Sequence, residues 1–390
     1  MVSVRMIVRL AAILASAGVA ASLATTSIAV PPNYRVDVIG AGLNGFDMSE
    51  AGTIVGRSLD AQQIGRAFVA PRGGPVEILP LPAPWISSDA YAIAPTGVIV
   101  GAVSSSTIAS VGSRAAAWYP SAKGYSFVLL PPIAGDTHSA AFGVNSLGDI
   151  VGGSGGLGLG SYPRAARFTP KGATLLGGIG TPVDVNEDRI VVSGNQLLDL
   201  DTMTVTTIPL PPGNWQGFVA VDFSNAGNIC GYILGFSGCS TFPMRYLPGV
   251  GWQSVGGCAT TTSANSINDL GDVTASVQST SSWVSFIGED PVSPGALIAP
   301  SEGSWLIVGV GAINNRREML AIGRPSGQTT NQLLRLRPYR AADLDDDGAV
   351  NALDLAILLG AWGEFGGIAD IDLDGIVGAQ DLAALLAEWS

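Results

Sequence analysis

A polar four-residue turn followed by a β-branched pair and a glycine recurs along most of this chain, and this repeat restricts its fold more than any other feature. The clearest copy lies between Ser139 and Thr169. It reads Ala141-Phe-Gly-Val144, Asn145-Ser-Leu-Gly148, Asp149-Ile150-Val151-Gly152, with Arg164-Ala-Ala-Arg-Phe168-Thr-Pro170 and Gly172-Ala-Thr-Leu-Leu176 further on. Asn at the head of the turn can bond its own backbone, and Gly at its end takes a positive φ without a Cβ clash. The flanking runs are a β-hairpin, and the two short apolar runs that follow supply two more strands. Aligned on the turn glycine, the copies fall at Gly52, Gly97, Gly148, Arg189, Gly227, Gly271 and Arg317, in steps of 45, 51, 41, 38, 44 and 46 residues. Four strands per unit at such a period predict β-propeller blades. Seven anchors predict seven blades, so the fold class is mainly β, a seven-bladed β-propeller over residues 34–338.

The last copy has its hairpin and then Leu333-Leu-Arg-Leu-Arg337, with no further strand before the composition changes. The alternating segment Tyr34-Arg-Val36-Asp-Val38-Ile39 precedes the first hairpin, so Val36–Ile39 is expected to complete the seventh blade and close the ring. A closed ring leaves no sheet edge open to other chains. The third strand carries an aromatic at Phe68, Trp118, Phe168 and Tyr246. Recurrence in the same place points to packing between blades rather than to a stacking platform for sugars. The Asn-x-x-Gly-x-Ile-Val-Gly hairpin and the Ala-then-aromatic strand resemble HAF-type repeats of bacterial extracellular proteins, named for a His-Ala-Phe tripeptide, over roughly residues 40–337. The tripeptide itself reads Arg66-Ala67-Phe68 in the first copy and Arg-Ala-Ala in the next two. The resemblance bears on fold, since no settled activity attaches to those repeats.

Residues 1–29 read as a secretory signal peptide. Arg5 and Arg9 form a basic start, Leu10 to Ala24 an apolar stretch, and Ser27-Ile-Ala29 a small-residue end. No later segment is apolar over the length a membrane span needs. The protein is therefore expected outside the cytoplasm, secreted or at the cell surface. All 19 Lys and Arg lie at or before Arg340, whereas residues 341–390 hold 11 of the 31 acids and no base. The propeller is thus close to neutral and has no basic stripe of the kind nucleic acid requires.

Three cysteines allow at most one bridge. Cys239–Cys258 is the expected pair, on loops at one face, with Cys230 a buried thiol in a strand. The lone histidine, His138, sits in an expected blade-to-blade loop beside no nucleophile motif, which argues against a Ser-His-Asp triad. Carboxylate pairs for glycoside hydrolysis could be drawn from Asp47, Asp89, Asp149, Asp184 and Asp222, but spacing does not show which of them converge.

From Asp343 the character changes. Asp343-Leu-Asp345-Asp-Asp347-Gly348-Ala349-Val350-Asn351-Ala-Leu-Asp354 and Asp370-Ile-Asp372-Leu-Asp374-Gly375-Ile376-Val377-Gly-Ala-Gln-Asp381 share one register. Each places carboxylates at positions 1, 3, 5 and 12, a backbone carbonyl at 7 (Ala349, Ile376), glycine at 6 and an apolar residue at 8. That spacing wraps hard oxygen ligands around a cation such as Ca²⁺, so two calcium ions are expected. Each loop leads into an apolar helix, and none precedes it. Two such loop–helix units resemble a type I dockerin over residues 343–390. The resemblance implies a small calcium-dependent module that docks its carrier onto a cohesin-type receptor in polysaccharide-degrading assemblies. The hydroxyl residues common at loop positions 10 and 11 are here Ala352-Leu353 and Ala379-Gln380. A calcium-folded attachment module at residues 341–390, docking to a cohesin-like or cell-surface protein, is the expectation. The propeller would then take a polysaccharide or protein ligand in a non-enzymatic recognition role. The alternative is a polysaccharide-cleaving enzyme or accessory subunit, recognisable by carboxylates gathered in the propeller's central channel.

Overall fold

The structure is a computed structural model. It describes residues 34–105, 112–156, 162–235, 241–256, 262–277, 281–288, 290–345, 347–365, 367–372 and 375–389. The expected signal peptide, Cys239, Cys258 and Asp374 lie outside the described residues.

Seven antiparallel sheets follow one another, each packing on the next, and the seventh packs on the first. The chain is a mainly β, seven-bladed propeller. The innermost strands of blades 1 to 7 are Leu43–Met48, Ser87–Ile93, His138–Val144, Asp184–Val185, Gly217–Phe223, Thr262–Ile267 and Trp305–Ile313. Six blades have four strands. Blade 6 has three among the described residues, with a two-way backbone pair between Val284 and Val292 (2.9 Å each) at the fourth position. The ring closes as expected: Tyr34–Ala41 pairs with Gln332–Pro338 and forms the outer strand of blade 7, with Val38 opposite Leu334. Tyr34 is fully buried and donates its hydroxyl to the Arg317 carbonyl at 2.9 Å, while its own carbonyl accepts from Ala299.

Packing between blades uses the third-strand aromatics, as expected. Phe68, Trp118 and Phe168 are buried; Trp118 sits among Val55, Ala67 and Ile99 and donates Nε1 to the Pro80 carbonyl at 2.8 Å. Tyr246 is only half-buried, against Trp252. Cys230 is a buried free thiol in the second strand of blade 5. Burial, with the Asp222 carboxylate nearby, pushes that thiol well up.

The repeat motif acquires its physical reason here. At the turn, the side-chain oxygens of Asn145, Asn186, Asn268 and Asn314 accept the N–H four residues on at 2.8–2.9 Å. The Nδ2 groups of Asn145 and Asn268 donate to the turn carbonyls of the following blades, Asn186 and Asn314, at 3.0 Å. Asn314 does the same across the closing seam to Ser49 at 3.4 Å. Arg189 and Arg317, which replace the turn glycine, hold the same left-handed conformation, φ 64° and 60°. Each sends its guanidinium back to a buried acid of the preceding blade, Arg189 to Asp149 and Arg317 to Asp272, both at 2.8 Å. Those ion pairs offset the backbone strain.

The glycine after the β-branched pair has a different cause. The inner strands carry a register shift opposite it, as between Ala141 and Gly143. A Cβ on Gly152 would lie far inside contact distance of the Ala140 carbonyl oxygen, and Gly56, Gly101 and Gly231 meet the equivalent oxygens. Gly152→Ala must therefore push backbone against backbone. It should cost about 3 kcal/mol or more, at the upper end for overpacking, because no side chain can give way. Urea unfolding would show it, and a midpoint equal to wild type would remove this account of the motif.

No helix among the described residues is long and apolar enough to cross a membrane. Among the described residues the longer helices are Ala352–Gly360 and Ala379–Ala387, both in the tail, and Pro294–Leu297 and Pro300–Glu302 form short helical turns.

Candidate functional site

The tail holds the two expected loops, each built around the first turn of its helix. Asp354 and Asp381 are the third residues of the two helices and almost wholly buried. Asp354 Oδ1 accepts the N–H of Leu344 (2.6 Å) and Asp345 (3.3 Å), and Oδ2 accepts that of Asn351 at 2.8 Å. Asp381 repeats this with Ile371 (2.6 Å), Asp372 (3.1 Å) and Gly378 (2.7 Å). Burial would raise Asp381, but its backbone N–H donors outweigh that and hold it below the usual carboxylate range. The first residues match as well: Asp343 Oδ2 accepts from Gly348 at 2.9 Å and Asp370 Oδ2 from Gly375 at 3.1 Å. The sharp turns are made by Gly348 and Gly375, φ 88° and 98°. Val350 and Val377, at position 8, enter a small core with Leu344, Leu358 and Leu385.

This geometry brings one oxygen each of Asp343, Asp345 and Asp354 within 4.8 Å of one another, and likewise of Asp370, Asp372 and Asp381. Asp370 is 7 % exposed, and its Oδ1 is buried with no hydrogen-bond partner. A carboxylate oxygen in that state is costly unless something positive meets it. The donors are all hard oxygens, which fits a Ca²⁺-sized cation. Asp347 stands outside the first group, exposed, its Oδ1 accepting the Ala349 N–H at 2.8 Å. The Ala349 carbonyl accepts Asn351 Nδ2 at 3.3 Å, and Ile376 bridges Phe365.

The second candidate is the central channel. Of the five acids singled out in the sequence, the structure gathers Asp47, Asp184 and Asp222, which with Ser266 line a cavity of about 130 Å³. Asp149 is instead bound by Arg167 and Arg189, and Asp89 lies beside Arg57 at 3.4 Å. The sequence did hold a signal for the convergent three. Each stands two residues before the first residue of its turn, at Ser49, Asn186 and Ser224, so the repeat carries all three to one level of the channel wall. The other blades place Ala92, Gly143, Ser266 and Ala312 at that level. A Cβ on Gly143 would collide with Asp184. His138 begins the first strand of blade 3 instead of lying in a connecting loop, because its segment pairs with Gly155, and its Nδ1 meets Thr137 Oγ1 at 2.9 Å.

Two of these acids bind blade to blade. Asp47 accepts the N–H of Ile93 in blade 2 at 2.8 Å; Asp222 accepts that of Ile267 in blade 6 at 2.8 Å and the Ser266 hydroxyl at 2.6 Å. Asp184 accepts the N–H of its own neighbour Val185 at 2.8 Å. Burial pushes Asp47 up to about 6, against the Ile93 N–H and with the Asp222 charge adding. Burial, then the Asp222 charge, pushes Asp184 well up, and burial raises Asp222.

A carboxyl raised in the folded state stabilises most below the unfolded value of 3.8, and that contribution fades as pH rises through the folded value. For Asp47 the interval from 3.8 to about 6 corresponds to about 3 kcal/mol at most. Propeller stability should therefore fall between about pH 4 and 6. Asp184→Asn, which keeps an acceptor for Val185 and carries no charge, should raise the thermal midpoint at pH 8 more than at pH 4. Equal shifts at both pH values would contradict the burial of this charge.

No protein-family model matches the chain, and no curated protein matches it. Solved structures do. Virginiamycin B lyase from Staphylococcus aureus is 13% identical over 79% of this chain and 100% of its own, with a TM-score of 0.48. A streptogramin B lyase gives the same identity, share and score over 98% of its chain. The extracellular domain of a hybrid two-component system from B. thetaiotaomicron is 12% identical, covering 79% of this chain and 40% of its own, with a TM-score of 0.36. These are likenesses of architecture and carry no argument about activity.

Proposed function

We propose that this chain is a secreted or cell-surface recognition protein, a propeller of HAF-type repeats tethered by a dockerin-like tail that binds two Ca²⁺. The observation that carries the reading is the pair of matched loops, and within them the buried Asp370 oxygen with no hydrogen-bond donor. In each loop of the folded tail, backbone N–H bonds aim the carboxylates at one point, so cation binding and folding of the tail are coupled. Calcium, when bound, supplies the positive charge that these oxygens face. Exposed Leu353, Leu359, Trp362, Phe365 and Ile368 give the tail an apolar surface suited to a cohesin-type or cell-surface partner. Calorimetry on the full chain tests the reading. Two Ca²⁺ should bind, Asp343→Ala and Asp370→Ala should each remove one, and Mg²⁺ should substitute poorly because it demands octahedral geometry. Absence of Ca²⁺ uptake at millimolar metal would end it.

The channel acids favour a second reading, a polysaccharide-cleaving enzyme brought to its substrate by the same tail. It ranks below the first because Asp47 and Asp222 commit oxygens to neighbouring backbone. Reducing-end release from a panel of plant and microbial polysaccharides, abolished in Asp184→Asn, would raise it to first place.

A further inference from the structure

The inner strands carry a second set of aromatics, distinct from the third-strand set that packs blade on blade. Blades 1 to 3 place Phe46, Tyr91 and Phe142 one residue before the channel level of Asp47. Blades 4 to 7 have Val, Val, Asn and Gly at the same position. The two sets also differ in burial. Phe68, Trp118 and Phe168 are buried, as packing requires, whereas Phe46 is 38 % exposed and Tyr91 and Phe142 are half-buried. The centroid of the Tyr91 ring lies 5.7 Å from those of both Phe46 and Phe142, with planes tilted by 44° and 39°. Three consecutive blades thus build a curved aromatic wall on one side of the channel. These rings line the same cavity as Asp47, Asp184 and Asp222.

Each ring is held by its neighbours. The Tyr91 hydroxyl donates to Oδ2 of the buried Asp89 at 3.3 Å. Arg57 lies 3.4 Å from the same Asp89, and its guanidinium sits over the Phe46 ring, 5.9 Å from the centroid. Phe142 meets Tyr162 edge-on at 5.8 Å, and the Tyr162 hydroxyl shares a 2.7 Å hydrogen bond with Ser113. A wall fixed in this way loses little freedom when something lies against it. Its chemistry selects the ligand. The negative faces of the rings suit the C–H face of a pyranose, and carboxylates beside them accept hydrogen bonds from its hydroxyls. A few polar groups in an aromatic-lined cavity are the usual make-up of a small-molecule site. Among the described residues no lysine or arginine lines this cavity, so three carboxylates would repel an acidic sugar.

We propose that this cavity is the ligand site of the propeller and takes a non-acidic pyranose of an oligosaccharide. The sugar ring faces Phe46, Tyr91 and Phe142, and its hydroxyls meet the channel carboxylates. This deepens the recognition reading and rests on it, but not on the calcium loops. The shared chemistry is the pyranose ring, which could come from a neutral sugar or from a basic amino sugar.

The test is calorimetric titration of the full chain with cellotetraose, with a chitosan tetramer and with tetragalacturonate. At least one of the first two should bind at a single site and the third should not, and the tighter of the two assigns the source. Phe46→Leu and Phe142→Leu keep apolar bulk and remove the ring face, and each should weaken binding about tenfold. Phe46→Tyr, which keeps the ring, should bind like wild type. Affinity should be the same in EDTA, since the site lies within the propeller. Failure of Ca²⁺ uptake would therefore leave this site standing, and failure of sugar uptake would leave the calcium loops standing. No uptake of cellotetraose or the chitosan tetramer at about 10 mM, the weak end of specific affinity, would overturn the proposal. So would unchanged affinity in both leucine variants with native circular dichroism, or tetragalacturonate binding as tightly as the other two.

Discussion

A chain lacking residues 34–40 should lose its cooperative unfolding transition and form soluble aggregates. The deletion removes the outer strand of blade 7 and with it Tyr34, which is fully buried and bonds both Arg317 and Ala299. Losing a buried aromatic of this kind costs about 3–5 kcal/mol on its own, a large share of the stability of an ordinary domain. The deletion also strips the cover from Gln332–Pro338, whose Leu333, Leu334 and Leu336 are buried. That exposes a long apolar edge ready to pair with another chain. Tyr34→Ala, which keeps the strand, should lower the thermal midpoint without aggregation and so separates the packing loss from the open edge. If the deleted protein melts within about 2 °C of wild type, a change of under about 1 kcal/mol at this size, the strand does not close the ring energetically.

Chelation of calcium should unfold the tail and leave the propeller folded. Residues 341–390 carry 11 acids and no base, eight of the acids at loop ligand positions. The core that must hold them together is small, built on Leu344, Val350, Leu358, Val377 and Leu385. Modules of this size normally need a metal or disulfides, and this one has no cysteine. A cation bound to the folded tail alone adds about 4 kcal/mol at a thousandfold excess over its dissociation constant. With EDTA, helical circular dichroism should fall by the share of the two nine-residue helices, and Trp362 and Trp389 should change emission. The propeller transition should persist. Identical unfolding in EDTA and in about 1 mM Ca²⁺ would refute metal-dependent folding, since modules of this kind bind at or below that range.

Some of this protein follows from its sequence alone, because the relevant physics is local. The blade count came from turn chemistry that repeats at each anchor from Gly52 to Arg317. The ring closure at Val36–Ile39 came from counting strands. The register of the tail loops came from Asp343 and Asp370 with their fixed offsets. Each depends on neighbours within a dozen residues, or on the requirement that a sheet edge be covered.

What the sequence did not determine concerns partners in different blades. Asp47, Asp184 and Asp222 meet because a propeller carries equivalent positions to one level of one channel, whereas Asp89 and Asp149, the same residue type, lie elsewhere. The amides of Asn145 and Asn268 reach the next turn, and Arg189 and Arg317 turn back to the preceding blade, because the blade interface fixes their distance. Asp347 reads as a loop ligand from spacing, yet it lines a cavity with three arginines, one of which, Arg72, belongs to the first blade. Local sequence sets which backbone turns can form. Closure of the ring decides which charges those turns bring together, and so where the sites lie.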